Sequence, residues 1–298
     1  MASKKLKAVC FGEILFDVFP KHKKIGGAPL NVASRLKSFG IDVSMISAVG
    51  NDNNGDELLE YFKNLDIDTS SIQIKENYPT GVVNVRLNEK GNASYDITYP
   101  SAWDKIRLAI DDTILVKDAD FFLYGSLASR DESTKKTLLQ LLEVAKYKIF
   151  DVNLRLPNYT EKTLIELMNE ADFIKFNDEE LYEVSRYLGS NFNSLEQNIE
   201  FISEKTNTKS ICVTLGSHGA VLFYEGKYYH NCGYYVDVVD TVGSGDSFLA
   251  TLIYKIFAEK DPKKAINYAC AVGALVAQNE GANPILSEDL ILKFMEGE

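Results

Sequence analysis

Short, near-continuously apolar runs alternate with amphipathic segments along most of this chain, and that alternation leaves few folds open. AVCFGEILFDVF, VSMISAVG, DFFLYGS, KIFDVN, DFIKFN and ICVTLG read as strands. Apolar runs without strict alternation suit parallel strands covered on both faces. Helical patterns over 30–39, 55–65, 132–145, 161–170, 179–188 and 195–205 supply the covering layers. The expected class is α/β, with one doubly wound, mostly parallel sheet.

One segment breaks the rhythm. TGVVNVRLNEKGNASYDITY, 80–99, reads as two polar-alternating strands joined at Glu89-Lys90-Gly91-Asn92, with no helix between them. The prediction is an antiparallel hairpin added to the main sheet, too small to stand alone and suited to a lid. With no repeat, low-complexity tract or Pro/Gly-rich linker, a single domain over 1–298 is expected.

Charge narrows the function. The 32 Lys and Arg against 43 Asp and Glu give a formal charge of -11, which argues against nonspecific nucleic-acid binding. An acidic chain that binds a polyanion must use backbone amides, a metal ion or a few placed cations. No stretch reaches the roughly 18 apolar residues of a membrane span. Glu13 and Asp17 interrupt the N-terminal apolar run, so it reads as a strand and not a secretory signal. Cys10, Cys212, Cys232 and Cys270 are scattered without CxxC spacing, so a reducing cytoplasm is the expected location. In that compartment the sequons at Asn92 and Asn158 carry no glycan.

Several motifs fail on inspection. Gly50 to Gly55 has the opening spacing of a P-loop, but Asp56-Glu57 stand where Lys and Ser/Thr belong. The same run is no calcium loop, since Gly50 and Tyr61 occupy ligand positions. It reads as a polar strand-to-helix turn. His22, His218 and His230 lack metal spacing, and there is no G-x-S-x-G elbow. No G-x-G-x-x-G follows the first strand, which counts against a nicotinamide dehydrogenase.

Three places carry chemistry. In DTVGSGDSFLAT, 240–251, Gly243, Ser244, Gly245 and Asp246 precede an apolar helix. Glycines turn amides inward and a helix N-terminus adds unpaired N–H groups, so the turn can hold an anion. Asp246 could equally be a helix cap. In KIGGAPLNVA, 24–33, two glycines precede a helix with Asn31 in its first turn, as a close ligand approach or as a tight capped turn. Asp17 reads as the end of the first strand, where doubly wound sheets bind ligands, or as a turn residue.

GGAPLNVASRLKSFG and DTVGSGDSFLAT together resemble the two hallmark regions of the ribokinase, or PfkB, family of sugar kinases, in order and separation, over nearly the whole chain. The resemblance implies a ribokinase-like fold with a β lid from about 80–100 and part of 15–26. It implies Asp246 as general base on the accepting hydroxyl, with Gly243, Ser244, Gly245 and the Asp246 amide as anion hole. Ser244 stands where the family usually has Ala. Asn177 and Glu180 match an N-x-x-E element that organises Mg²⁺ and its waters, a segment that would also suit a helix cap. Thr214, Gly216, Gly219 and Asn279 would lie along ATP. Asp240 and Val242 belong to a loop resembling the family's K⁺ site.

Phe11 to Asp17 looks like fructokinases and 2-keto-3-deoxygluconate kinases, Pro100 to Ile106 and Gly125 to Arg130 look more like fructokinases, and Asp151 to Arg155 occurs in both groups. The resemblance implies D-fructose as acceptor, read by Asp17, Gly27 and Asn31 and covered by Tyr95 and Ile97, with Arg155 facing acceptor or phosphates. The keto acid, another sugar or nucleoside, and a non-catalytic sugar sensor are the alternatives. A homodimer through the lid is also expected.

Overall fold

The computed structural model describes residues 5–87 and 93–297, with the backbone alone for 86, 87 and 93–95. The predicted turn at Glu89-Lys90-Gly91-Asn92 lies outside the described residues except for its flanking strands. The chain falls into two compact units, Met1–Lys146 and Tyr147–Glu298.

In the first unit the elements are β1 (Lys7–Phe11), β2 (Leu15–Val18), β3 (Lys23–Gly26), α1 (Ala28–Ser38), β4 (Asp42–Gly50), α2 (Asn53–Asn64) and β5 (Ile72–Lys75). They continue with β6 (Gly81–Leu87), β7 (Ala93–Ile97), α3 (Ile110–Asp118), β8 (Phe121–Gly125) and α4 (Glu132–Leu142). Strands β8, β1, β4 and β5 form parallel neighbours in that order. Their apolar runs are buried as predicted: Phe11, Phe121, Phe122 and Tyr124 have almost no exposed surface. Leu30, Val32, Ala33 and Leu36 bury α1 against them.

Two expectations change here. The run AVCFGEILFDVF is not one strand. It divides at Gly12, which takes φ 137 and lies between β1 and β2. Gly12 N–H donates to Ile46 O, and Ser47 Oγ donates to Gly12 O at 2.6 Å, so the chain leaves the main sheet there. Asp17 therefore lies within β2 and not at the end of β1. The hairpin β6–β7 is likewise not added to the main sheet. It joins β2 and β3 in a separate sheet of order β3-β2-β6-β7, antiparallel except for the parallel pair β2–β6. Once Gly12 redirects β2, its open edge is where β6 finds backbone partners.

In the second unit the elements are β9 (Lys148–Asp151), α5 (Glu161–Asn169), β10 (Phe173–Asn177), α6 (Asp178–Tyr187), α7 (Leu195–Thr206) and β11 (Ser210–Thr214). Then come β12 (Ala220–Tyr224), β13 (Lys227–Asn231), α8 (Ser244–Glu259), α9 (Pro262–Ala277) and α10 (Glu288–Glu296). Parallel β9, β10 and β11 are extended by antiparallel β12 and β13. Helix α9 has no single apolar stripe; Ala265, Ile266, Ala269, Ala271, Val272 and Val276 are all buried, and burial all round erases the period that marks a surface helix. Among the described residues, no helix is long and apolar enough to cross a membrane.

Candidate functional site

In the first unit the small sheet brings the predicted sugar-reading residues together. Backbone register aligns Lys24, Asp17, Val83 and Ile97 in one row across β3, β2, β6 and β7. Residues in register share a face, so Asp17 and Ile97 look out on the same side. Ile97 is half-buried against Leu15, Val83 and Val85. Position 95 pairs in the backbone with Val85, one step along that face, and its side chain lies outside the described residues. Asp17 also reaches the glycine turn: a Cβ on Gly26 would stand 2.4 Å from Asp17 Oδ2. Gly27 takes φ 112, and a Cβ there would meet Glu13 O at 2.5 Å, so only glycine fits. Asn31 follows in the first turn of α1, 3% exposed, with its N–H donating to Gly27 O at 3.0 Å.

In the second unit the centre is the start of α8. Gly243 adopts the left-handed conformation at φ 75, and a Cβ would meet Ala282 Cβ at 2.4 Å. Gly243, the N-cap residue, brings no side chain to cap this helix. Ser244 N–H donates to Thr241 O, and the helical ladder opens with Ser247 N–H to Gly243 O at 2.8 Å. The amides of Gly245 and Asp246 stand ahead of that bond, where a helix offers N–H groups to an anion. Asp246 sits half-buried in the same first turn. Ser244 Oγ donates to Gly273 O at 2.8 Å, which turns the hydroxyl towards α9 and ties the two helices together.

A group that the sequence pattern did not single out lies beneath this turn. Lys175, in the middle of β10, is 6% exposed and its Nζ is 3.0 Å from Asp151 Oδ1 at the end of β9. The same Nζ is 3.5 Å from where a Cβ on Gly245 would be. Burial works against the ammonium, but Asp151, Glu180 and Asp246 outweigh it and raise its pKa well above the usual lysine value. A lysine inside an otherwise apolar strand was the available sequence signal.

Asn177 and Glu180 form a reciprocal capping box at the start of α6: Glu180 N–H donates to Asn177 Oδ1 and Asn177 N–H to Glu180 Oε2, each at 2.8 Å. Leu154 N–H donates to Glu180 Oε1 at 2.9 Å. Burial raises the Glu180 pKa above the ordinary carboxylate range, against Lys175 and these amides. Arg155, next along, is exposed, and its Nη1 donates to Leu154 O.

The remaining predicted residues are placed as follows. Thr214 ends β11 with Oγ1 donating to Phe176 O at 3.3 Å. Strand, turn and strand over 213–223 form as expected, with β11 antiparallel to β12. A Cβ on Gly216 would meet nothing, whereas one on Gly219 would stand 2.0 Å from Asn231 O. The close approach that Gly219 permits is therefore to this chain's own backbone. Asp240 accepts from Val242 N–H at 3.0 Å and from Gly281 N–H at 3.1 Å, joining the 240–243 loop to the segment after α9. Asn279 is exposed, with Nδ2 donating to Leu275 O at 2.8 Å. Gly50 to Gly55 is the polar turn expected: Asp52 caps α2 by accepting from Gly55 N–H.

Among the described residues, no group of three or more His, Cys, Asp or Glu side chains could hold a metal ion by itself. Asp151 Oδ2, buried, lacks a hydrogen-bond partner among the described residues. This donor set fits Mg²⁺ in its usual form at phosphate sites, held by phosphates and water with one or two carboxylates behind.

Comparison with known proteins gives the family and the fold. The model of the "pfkB family carbohydrate kinase" matches residues 5–289. Fructokinase-2 of Solanum lycopersicum is 29% identical over 93% of this chain and 92% of its own length. The structure of a fructokinase double mutant from Vibrio cholerae O395 with fructose, ADP and potassium ion bound superposes at TM-score 0.85 and 23% identity, covering 97% of this chain and 98% of that one. Fructokinase from Xylella fastidiosa with bound ATP superposes at TM-score 0.86 and 22% identity, covering 98% of both. The fold they share is a mostly parallel sheet flanked by helices.

Proposed function

Because the chain belongs to the pfkB family of carbohydrate kinases, we propose that it transfers the γ-phosphoryl of ATP to the terminal primary hydroxyl of D-fructose, giving fructose 6-phosphate and ADP. The observation that carries this is the glycine-started first turn of α8, with amides ahead of the helical ladder and Asp246 in the same turn. The amides hold the moving phosphoryl group, and the carboxylate takes the hydroxyl proton. The sugar oxygen bonds to the γ-phosphorus, the bond to the β,γ-bridging oxygen breaks, and its electron pair leaves on ADP. Phosphoryl transfer has a loose transition state, so positioning and charge neutralisation supply most of the acceleration.

Asp17, Gly27 and Asn31 read the sugar hydroxyls, and the face of the small sheet bearing Ile97 and position 95 covers the sugar and keeps water from accepting the phosphoryl group. Asn177, Thr214, Gly216 and Asn279 line the nucleotide, with Gly219 shaping the turn. Mg²⁺ bound between phosphates and the waters near Glu180 would neutralise phosphate charge. Carbonyls of the Asp240–Val242 loop would hold K⁺. All 298 residues serve as one catalytic domain.

The test is ATP- and Mg²⁺-dependent phosphorylation of D-fructose, 2-keto-3-deoxygluconate, D-ribose and adenosine, with Asp246→Asn alongside. Fructose is expected to be preferred, with a loss of about 10²–10⁴-fold in the variant. Preference for the keto acid would move the substrate and make exposed Arg155 its carboxylate partner. ATP binding with no transfer to any acceptor would sink the kinase reading in favour of a sensor.

A further inference from the structure

We propose that Lys175 is a built-in cation of the phosphoryl-transfer site, held by Asp151 beneath the Gly243–Asp246 turn so that its ammonium faces the γ-phosphoryl group; this rests on the kinase reading above. Three observations converge on it. The ammonium is buried, its ion pair with Asp151 is 3.0 Å long, and it lies 3.5 Å from the Cβ position that Gly245 leaves empty. A side chain at 245 would begin to fill the space between ammonium and turn. The charge count is also uneven: Asp151, Glu180 and Asp246 all act on this one ammonium. Asp151 Oδ2, itself buried, has no hydrogen-bond donor among the described residues. A buried acceptor left unpaired is costly, and a hydrated cation arriving with the phosphates would supply the donor.

A purely structural ion pair is the competing explanation, since apolar residues of similar volume can replace such pairs without loss of stability. The two differ in what they require. A structural pair needs only each other's charge. A phosphoryl-site cation also needs to be positive and close to the amides of the turn, because preorganised charge in a dry site acts most strongly on the transition state. Lys175 takes up no proton and forms no bond in this role.

Removing Lys175 alone would strand Asp151 and could prevent folding, so the pair is removed together in Lys175→Met/Asp151→Asn. Folding is followed by circular dichroism and urea unfolding. Affinity for ADP and for a non-hydrolysable ATP analogue is measured by calorimetry, and kcat and KM with fructose. The expected result is a folded protein with unchanged fructose KM, a kcat lower by about 10²–10³-fold, and an analogue affinity that falls towards that for ADP. Wild-type kcat together with wild-type preference for the analogue over ADP would overturn the proposal. If the methionine variant does not fold, Lys175→Gln/Asp151→Asn, whose amides can bond to each other, takes its place with the same outcomes. A wild-type protein that phosphorylates no sugar would sink the kinase reading instead, and the calorimetric comparison would then decide only whether Lys175 contacts the γ-phosphate.

Discussion

Asp17 and Gly26 meet diagonally across β2 and β3, where Asp17 opposes Lys24 and Gly26 opposes Leu15, and their contact sets what each must be. A Cβ at 26 would meet the Asp17 carboxylate at 2.4 Å, so Gly26→Ala must push that carboxylate aside. The expected outcome is a higher KM for the sugar with little change in ATP affinity, measured by steady-state kinetics. An unchanged sugar KM would show that Asp17 does not bind the acceptor. Ser244 illustrates the opposite situation. Its hydroxyl is spent on Gly273 O, so the departure from the family's Ala adds a helix–helix tie and leaves the main-chain amides of the turn as they were.

The lid is rooted at both ends in the first unit. At its entry, Asp52 accepts from Thr80 N–H at 2.8 Å and Thr80 Oγ1 at 2.7 Å while it caps α2. At its exit, Arg130 donates to Thr98 O at 2.7 Å, pairs with buried Asp104, and lies over the Trp103 ring at 4.1 Å. The Asp52 pKa is lowered: partial burial would raise it, but the bonds from Thr80 and Gly55 prevail. A depressed folded pKa contributes stability above the unfolded value of about 3.9, and that stability is lost as pH falls through the folded value. Asp52→Asn should therefore be less stable than wild type at neutral pH by about 1–3 kcal/mol. The gap should close in strong acid, as followed by urea unfolding across pH. A gap independent of pH would mean that the carboxylate charge is not what holds the lid root.

At the scale of the whole molecule, the residues proposed to read the sugar hydroxyls, Asp17, Gly27 and Asn31, fall in the first compact unit, and those proposed to line the nucleotide fall in the second. A ligand at about 100 times its dissociation constant stabilises the native state by about 2.7 kcal/mol. Fructose and an ATP analogue should each raise the melting temperature. Asp17→Asn should abolish the fructose shift and keep the nucleotide shift, as read by differential scanning calorimetry. Loss of both shifts would contradict the assignment of Asp17 to the sugar alone.

The sequence by itself determined what depends on near neighbours. Apolar runs gave the buried parallel strands, and the 177–180 segment carried its own capping box, because a side chain and an amide three residues apart meet wherever a helix begins. The glycine turns at 26–27 and 243–245 were legible for the same reason. Tertiary structure decided the rest. Gly12 could send β2 into a second sheet only because Ile46 and Ser47 hold it there. Lys175 acquired its meaning from Asp151 on the neighbouring strand and from Gly245 at the start of α8. Gly219 answers to Asn231, and helix α9 lost its period to burial on every side. Such partners are far apart along the chain, so no local pattern records them; they exist only once packing has brought them together.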